Sequence, residues 1–151
     1  MVSGPKGKNE KDYSHLIDVT ISKEDNVVKI ISTRGGRAGK RNARTVKAHI
    51  QNQIKGVQEG FKLMMQAVYT HFPIRIEVKG DKVYLHSFAG EKKPRVARIV
   101  PNVTVEVKGS TIIISGTSKE DVGQTAANIR QATRIVGLDN RVFQDGVYLE
   151  E

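Results

Sequence analysis

The chain has no cysteine and no tryptophan, and its aromatic residues amount to 5%. Without cysteine there is neither a disulfide nor a thiolate metal site, and the cytoplasm is the expected compartment. With so few rings, a core must be built from Val, Ile, Leu and Ala. The longest apolar runs are a few residues, far short of the roughly 20 needed to cross a bilayer, so no membrane is expected among the partners. Residues 1–11 are polar and rich in Gly and Lys. They lack the apolar segment of a secretory signal. His15, His49, His71 and His86 are scattered without metal-ligand spacing, and each is expected to be a surface or packing residue. No Ser, His and acid group into a nucleophilic site. No catalysis, metal, cofactor or small-molecule substrate is expected.

Acid is the other shortage. There are 16 Asp and Glu against 25 Lys and Arg, a formal net charge of +9. A compact chain with that excess repels itself, and a polyanion would relieve the cost. The distribution is one-sided. No acid occurs from Asn26 to Gln58, a stretch that holds Lys29, Arg34, Arg37, Lys40, Arg41, Arg44, Lys47 and Lys55. Lys92, Lys93, Arg95 and Arg98 form a second cluster, with no acid before Glu106. Arg130 and Arg134 stand one helical turn apart. A solvated charged face is the ordinary explanation of a charge run, but such faces mix signs. One-sided clusters on Gly-containing loops and helix flanks fit phosphate better, because Arg grips it with two parallel hydrogen bonds and Gly lets backbone approach. A membrane surface fits less well, since the first helix has a narrow Ala/Val/Ile stripe and no Trp/Phe/Leu face.

The 151 residues allow one ordinary domain or two small ones. Ile17, Val19 and Ile21 alternate with polar residues, Lys23–Asn26 turns, and Val27–Ile31 returns. This predicts a hairpin over 16–31. Thr33–Gly39 reads as a flexible loop. Ala43, Val46, Ile50, Ile54, Val57 and Phe61 recur at three or four residues as one helix face, predicting a helix that stops near Val57, where Gly56 and Gly60 weaken it. In the second half, Leu63–Tyr69 reads as a strand. Ile74–Val78 and Val83–Leu85 read as a hairpin, Phe88–Pro94 as a loop, and Val103–Val107 with Ile112–Ile114 as another hairpin. A second helix starts at Ser118, with Asp121 three residues on, and buries Val122, Ala126, Ile129, Thr133 and Val136. Val142, Phe143 and Val147–Leu149 read as extended. The pattern predicts α+β architecture in two units, 1–60 and 61–151, each a small antiparallel sheet with one helix on a face.

Gly35-Gly36-Arg37-Ala38-Gly39-Lys40-Arg41 invites comparison with a phosphate-binding P-loop. The first Gly of that spacing would fall at Arg34, and Arg41 stands where Ser or Thr is required, so the match fails. Gly36-Arg37-Ala38-Gly39 also fits the GxxG of KH-type single-strand RNA binders. A KH-like free RNA-binding protein is the alternative reading. Tyr13, Tyr69, Tyr84 and Tyr148 are dispersed, and core packing is the expected role for most of them.

Longer strings are more specific. Phe88-Ala89-Gly90-Glu91-Lys92-Lys93-Pro94-Arg95 resembles the FLGEKxPR loop of large-subunit ribosomal protein six in its archaeal and eukaryotic form. Val122–Ile129 and Ala132-Thr133-Arg134 resemble that family's second helix. Arg141–Tyr148 resembles its C-terminal RxFxDGIY signature. Ile54-Lys55-Gly56-Val57 with Gly60-Phe61 resembles the end of its first helix, and Tyr69–Ile74 its YxHFPI segment. The strings fall in order along nearly the whole chain. The resemblance implies a non-catalytic component of the cytoplasmic ribosome, with large-subunit rRNA and neighbouring large-subunit proteins as partners. It implies a position near the factor-binding region and the sarcin–ricin loop, with the second domain as the main rRNA binder. The implied contacts are Lys92, Lys93 and Arg95 in the loop and Arg141 and Tyr148 in the tail. The charge pattern adds Arg98, Arg130 and Arg134, with Arg37, Lys40, Arg41 and Arg44 as a secondary basic surface. Family members carry an extra hairpin before a GPKG-like turn, here Gly4-Pro5-Lys6-Gly7, so the first domain is expected to be short of that hairpin.

Overall fold

The computed structural model describes residues 1–139 and 141–150. The architecture is α+β, in two compact units, Met1–Glu59 and Gly60–Glu151.

The first unit opens on a short hairpin, β1 (Val2–Gly4) and β2 (Gly7–Asn9), closed around Pro5 and Lys6. The sequence gives no alternation here, so only the turn was expected. Contact with the helix holds the hairpin: Lys6 N donates to Val57 O at 3.0 Å. A Cβ on Gly4 would come within 2.7 Å of that same carbonyl. The predicted second hairpin is β3 (Val19–Glu24) with β4 (Val27–Ser32), paired from Val19↔Ser32 to Glu24↔Val27. The two hairpins form separate two-stranded ribbons.

Helix α1 spans Gly36–Gln58, so the expected loop through Gly39 is corrected: its last four residues are the first helical turn. Gly39 is what allows the early start. A Cβ there would lie 1.9 Å from Arg34 O and 2.6 Å from Ser32 Oγ, so the missing side chain serves a tight strand-to-helix corner. The same geometry removes the premise of the KH-like reading, whose GxxG joins two helices, because Gly36 and Gly39 follow a strand. The helix buries Gly39, Val46, Gln53, Gly56 and Val57, whereas the expected Ile54 is 40% exposed. Gly60, at φ +77°, follows the C-cap residue Glu59, where a left-handed residue ends a helix cheaply.

The second unit has two antiparallel sheets. One is four-stranded in the order β11-β5-β10-β9, from β5 (Phe61–Val68), β9 (Val103–Lys108), β10 (Thr111–Gly116) and β11 (Gly146–Leu149). The other is a meander of β6 (Arg75–Lys79), β7 (Lys82–His86) and β8 (Arg95–Arg98). Helix α2 (Lys119–Ala132) packs against strands of both sheets. Period-2 alternation turns Met65, Ala67, Val83, Leu85, Ile112, Ile114 and Val147 inward, and Val122, Ala126 and Ile129 of α2 meet them. Ser118 caps α2 as expected, its Oγ accepting from Asp121 N at 3.3 Å, an interaction typically worth about 1 kcal/mol. Val136 is a correction. The helix ends at Ala132, and Val136 is 81% exposed. Val142 and Phe143 lie in a turn region before β11 rather than in a strand.

The close fit at Gly39 predicts that Gly39→Ala lowers stability by about 1–3 kcal/mol through overpacking. Gly123→Ala, at a helical site with open space around it, is expected to be neutral or to stabilise by up to about 1 kcal/mol. Urea unfolding of the two variants reads the difference.

Candidate nucleic-acid interface

A groove of about 520 Å³ runs along the second unit between the C-terminal half of α2 and the segment leading into β11. Arg130 and Arg134 line it from the helix side, and Phe143, Val147 and Tyr148 from the other. Thr133 holds the walls together. Its Oγ1 donates to Ile129 O or Arg130 O and accepts from Val147 N at 3.2 Å. Asp145 fixes the turn before β11 by accepting from Thr70 N at 3.0 Å. Tyr148 donates its hydroxyl to Gln144 O at 3.1 Å, and its ring lies over Gly146, where a Cβ would be 3.1 Å away. Arg130 and Arg134 have no acidic partner among the described residues. Two free guanidinium groups facing half-exposed rings suit a nucleotide chain, since Arg takes phosphate and the rings take bases.

The loop cluster behaves differently from its sequence reading. Lys92 and Lys93 are exposed on the bend before β8. Arg95 is committed inside the fold. Its Nε and Nη2 donate to the two Glu91 oxygens at 3.0 and 2.6 Å, and its Nη1 donates to Ala132 O and Arg134 O at 3.0 and 2.8 Å. The guanidinium carbon stands 4.4 Å from the centre of the Phe88 ring. Arg95 is therefore a clamp between the loop and the C-terminal end of α2. Arg98, three residues on along β8, points to the opposite face of the sheet and has no acidic partner among the described residues. The cluster read as one patch is thus divided by the strand.

In the first unit, Arg37, Lys40, Arg41 and Arg44 occupy one face of α1 and line a shallow depression with Thr45 and Ala48. None has an acidic partner among the described residues. The first turn of this helix has no acid and no side-chain cap. Cations gathered at the positive end of a helix dipole are unfavourable, and an anion there would offset the cost. Lys55 lies roughly 16 Å further along the helix axis from Arg44 and pairs with Glu59 at 4.0 Å.

The family model described as Ribosomal protein L6 matches residues 1–60 and 72–146. The large ribosomal subunit protein uL6 of Ignicoccus hospitalis is 47% identical over 98% of this chain and 82% of its own length. Its counterpart in Aeropyrum pernix is 47% identical over 99% of this chain and 82% of its own. That of Sulfurisphaera tokodaii is 45% identical over 98% and 80%. The chain belongs to the ribosomal protein L6 family. This is a family of structural ribosomal proteins, not of enzymes.

For this L6-family chain, Arg141 stands apart from the groove. It is 90% exposed and folded onto Asp139, with Nη2 3.1 Å from Oδ2 and Nε 3.2 Å from Oδ1. The guanidinium holds the Asp139 carboxyl below its ordinary range through these hydrogen bonds. Phe143 was missed as a site residue, because its role comes from the turn that brings it opposite Arg130 and Arg134. Its membership of the tail string was the one signal that could have found it. Among the described residues no group of three His, Asp or Glu side chains is placed to hold a metal ion, and no helix is long and apolar enough to cross a membrane.

The Arg95 clamp has a pH signature. Hydrogen bonding from Arg95 lowers the Glu91 pKa below the ordinary glutamate value. A depressed carboxyl contributes stability that is present above its unfolded pKa and lost as pH falls through its folded pKa. Glu91→Gln is therefore expected to cost about 0.5 kcal/mol near neutrality, the scale of a partly exposed pair. The deficit relative to the parent should shrink as pH falls below the ordinary glutamate range and vanish once the carboxyl is protonated in the folded chain as well. Urea unfolding across that range checks it, and a deficit that persists at low pH would remove the ion pair as its cause.

Proposed function

We propose that this chain is a structural constituent of the large ribosomal subunit of the cytoplasmic ribosome, binding large-subunit rRNA near the factor-binding region. The observation that carries the reading is the second unit's groove, lined by Phe143, Tyr148 and by Arg130 and Arg134, which have no acidic partner among the described residues. The relatives' name, large ribosomal subunit protein, supports the assignment to that particle. Residues 61–151 form the principal rRNA binder. The groove grips backbone and base together, and Lys92, Lys93 and Arg98 add phosphate contacts from the loop and from β8. Arg95 contributes by holding the loop in place. Arg141 reaches phosphate by leaving Asp139, an exchange of one exposed ion pair for another. Arg37, Lys40, Arg41 and Arg44 of residues 1–60 provide a secondary basic surface for rRNA. Neighbouring large-subunit proteins complete the partners. The action is mechanical and electrostatic: cations neutralise phosphates that would otherwise repel, and the fold fixes their spacing.

Arg130→Gln with Arg134→Gln is expected to weaken binding to large-subunit rRNA and to reduce the log–log salt slope by about 1.4–1.8, as two lost phosphate contacts would. Filter binding across a salt series measures this. Sedimentation provides the second measurement, and parent protein that fails to travel with large subunits at physiological salt would defeat the assignment.

A further inference from the structure

The outer face of the β6–β8 meander carries a cation pattern of which the charge clusters picked out only Arg98 and the family strings nothing. Antiparallel register places Lys79 opposite Lys82, and Lys82 opposite Arg98. The three cations form one row straight across the sheet, spanning roughly 10 Å at ordinary strand spacing. The next row along the strands is Glu77, Tyr84 and Val96, and beyond it Arg75 faces His86. These side chains share one face because the opposite face, with Val83, Leu85 and Ala97, is buried in the core. Like charges directly opposed across a strand pair are destabilising, and here two such pairs adjoin.

The acid on this face relieves little of it. Glu77 is held by Lys79 at 2.9 Å and lies 3.6 Å from His86 Nε2. Lys82 and Arg98 are exposed and without an acidic partner among the described residues, and the turn residue Asp81 makes no ion pair with them. Tyr84 sits half-buried beside the row, its ring close to parallel with His86 at 24° and 6.4 Å, with Lys79 Nζ 5.9 Å from its centre. Val96 next to it is 47% exposed.

We propose that this sheet face is a second RNA-docking surface, with the Lys79–Lys82–Arg98 row binding successive phosphates and Tyr84 with Val96 receiving a base. It rests on the rRNA-binding function proposed above and assigns a surface separate from the groove. RNA is the committed partner because a cation row beside a flat ring matches a charged backbone with stackable bases. An acidic protein segment would use the row and leave the ring idle.

The test compares the full chain with its Lys82→Gln/Arg98→Gln, Tyr84→Leu and Arg130→Gln/Arg134→Gln variants, using deproteinised large-subunit rRNA from the source organism. Affinity across a salt series and hydroxyl-radical footprints are the readouts. Lys82→Gln/Arg98→Gln is expected to weaken binding about ten-fold or more at 0.15 M salt and to lower the salt slope by about 1.4–1.8. It should lose one protected RNA segment while the segment lost in the groove variant stays protected. Its melting temperature should hold or rise, because a like-charge pair is removed. Tyr84→Leu is expected to weaken binding about five-fold with the slope unchanged. An unchanged slope and footprint in Lys82→Gln/Arg98→Gln, alongside a loss in the groove variant, overturns the inference and with it the Arg98 contact, and leaves rRNA binding through the groove standing. Parent protein that binds no rRNA overturns both. Normal RNA binding with loss of a cross-link to an acidic subunit protein in assembled particles would make the occupant a protein and overturn the RNA assignment.

Discussion

The guanidinium of Arg95 stands where three weaknesses of the second unit meet. Helix α2 ends with carbonyls that have no helical partner, and Arg95 donates to Ala132 O and Arg134 O. The 88–94 loop has little apolar weight beyond Phe88, and Arg95 packs on that ring while binding both oxygens of Glu91. Its own strand β8 is the edge of the meander, and the clamp ties that edge to the helix. The loop and the C-terminal end of the helix are thus tied together by one side chain that itself faces inward. A lysine in its place has three donors on a point charge and could not reproduce the planar fork.

The remaining charge divides by whether a carboxylate is at hand. Glu91, Asp139, Glu77, Glu24 and Asp18 each neutralise one cation, namely Arg95, Arg141, Lys79, Lys29 and Arg34. Cations left over among the described residues include Arg130 and Arg134 on the groove, Lys92 and Lys93 on the loop, Arg98 on the sheet, and the Arg37–Arg44 face of α1. A net charge of +9 is therefore concentrated on a few surfaces. Each is built on a helix or a packed strand, or tied to one, so an anion binding there would require little ordering of the protein.

Much of this was legible in the residues. Period-2 alternation marked both long hairpins and the β9–β10 pair, and the Ser118 cap and the Val122–Thr133 stripe located α2. What escaped did so for physical reasons. Strand β8 carries two arginines among its four residues, so its alternation was masked by charge and the segment was read as part of one basic cluster. A strand sends neighbours to opposite faces, and that alone separates Arg95 from Arg98. The start of α1 escaped because glycine signals flexibility and close packing alike, and the contact at Gly39 is made with Arg34 and Ser32, which the sequence does not show as neighbours. The groove escaped as a unit because Phe143 meets Arg130 only through the Thr133 and Asp145 hydrogen bonds.

The sheet order β11-β5-β10-β9 pairs the first strand of the second unit with its last, Val68 beside Gly146 and Met65 beside Leu149. Synthesis runs in one direction, so β5 can pair with β10 first, and its other edge waits for β11 until nearly everything between has been made. Tyr148 and Val147 belong to that late strand, and they form a wall of the groove. That wall of the groove therefore does not exist on a partly made chain. On a chain still being synthesised, Arg130 and Arg134 stand on their helix before the opposite wall of the groove is in place.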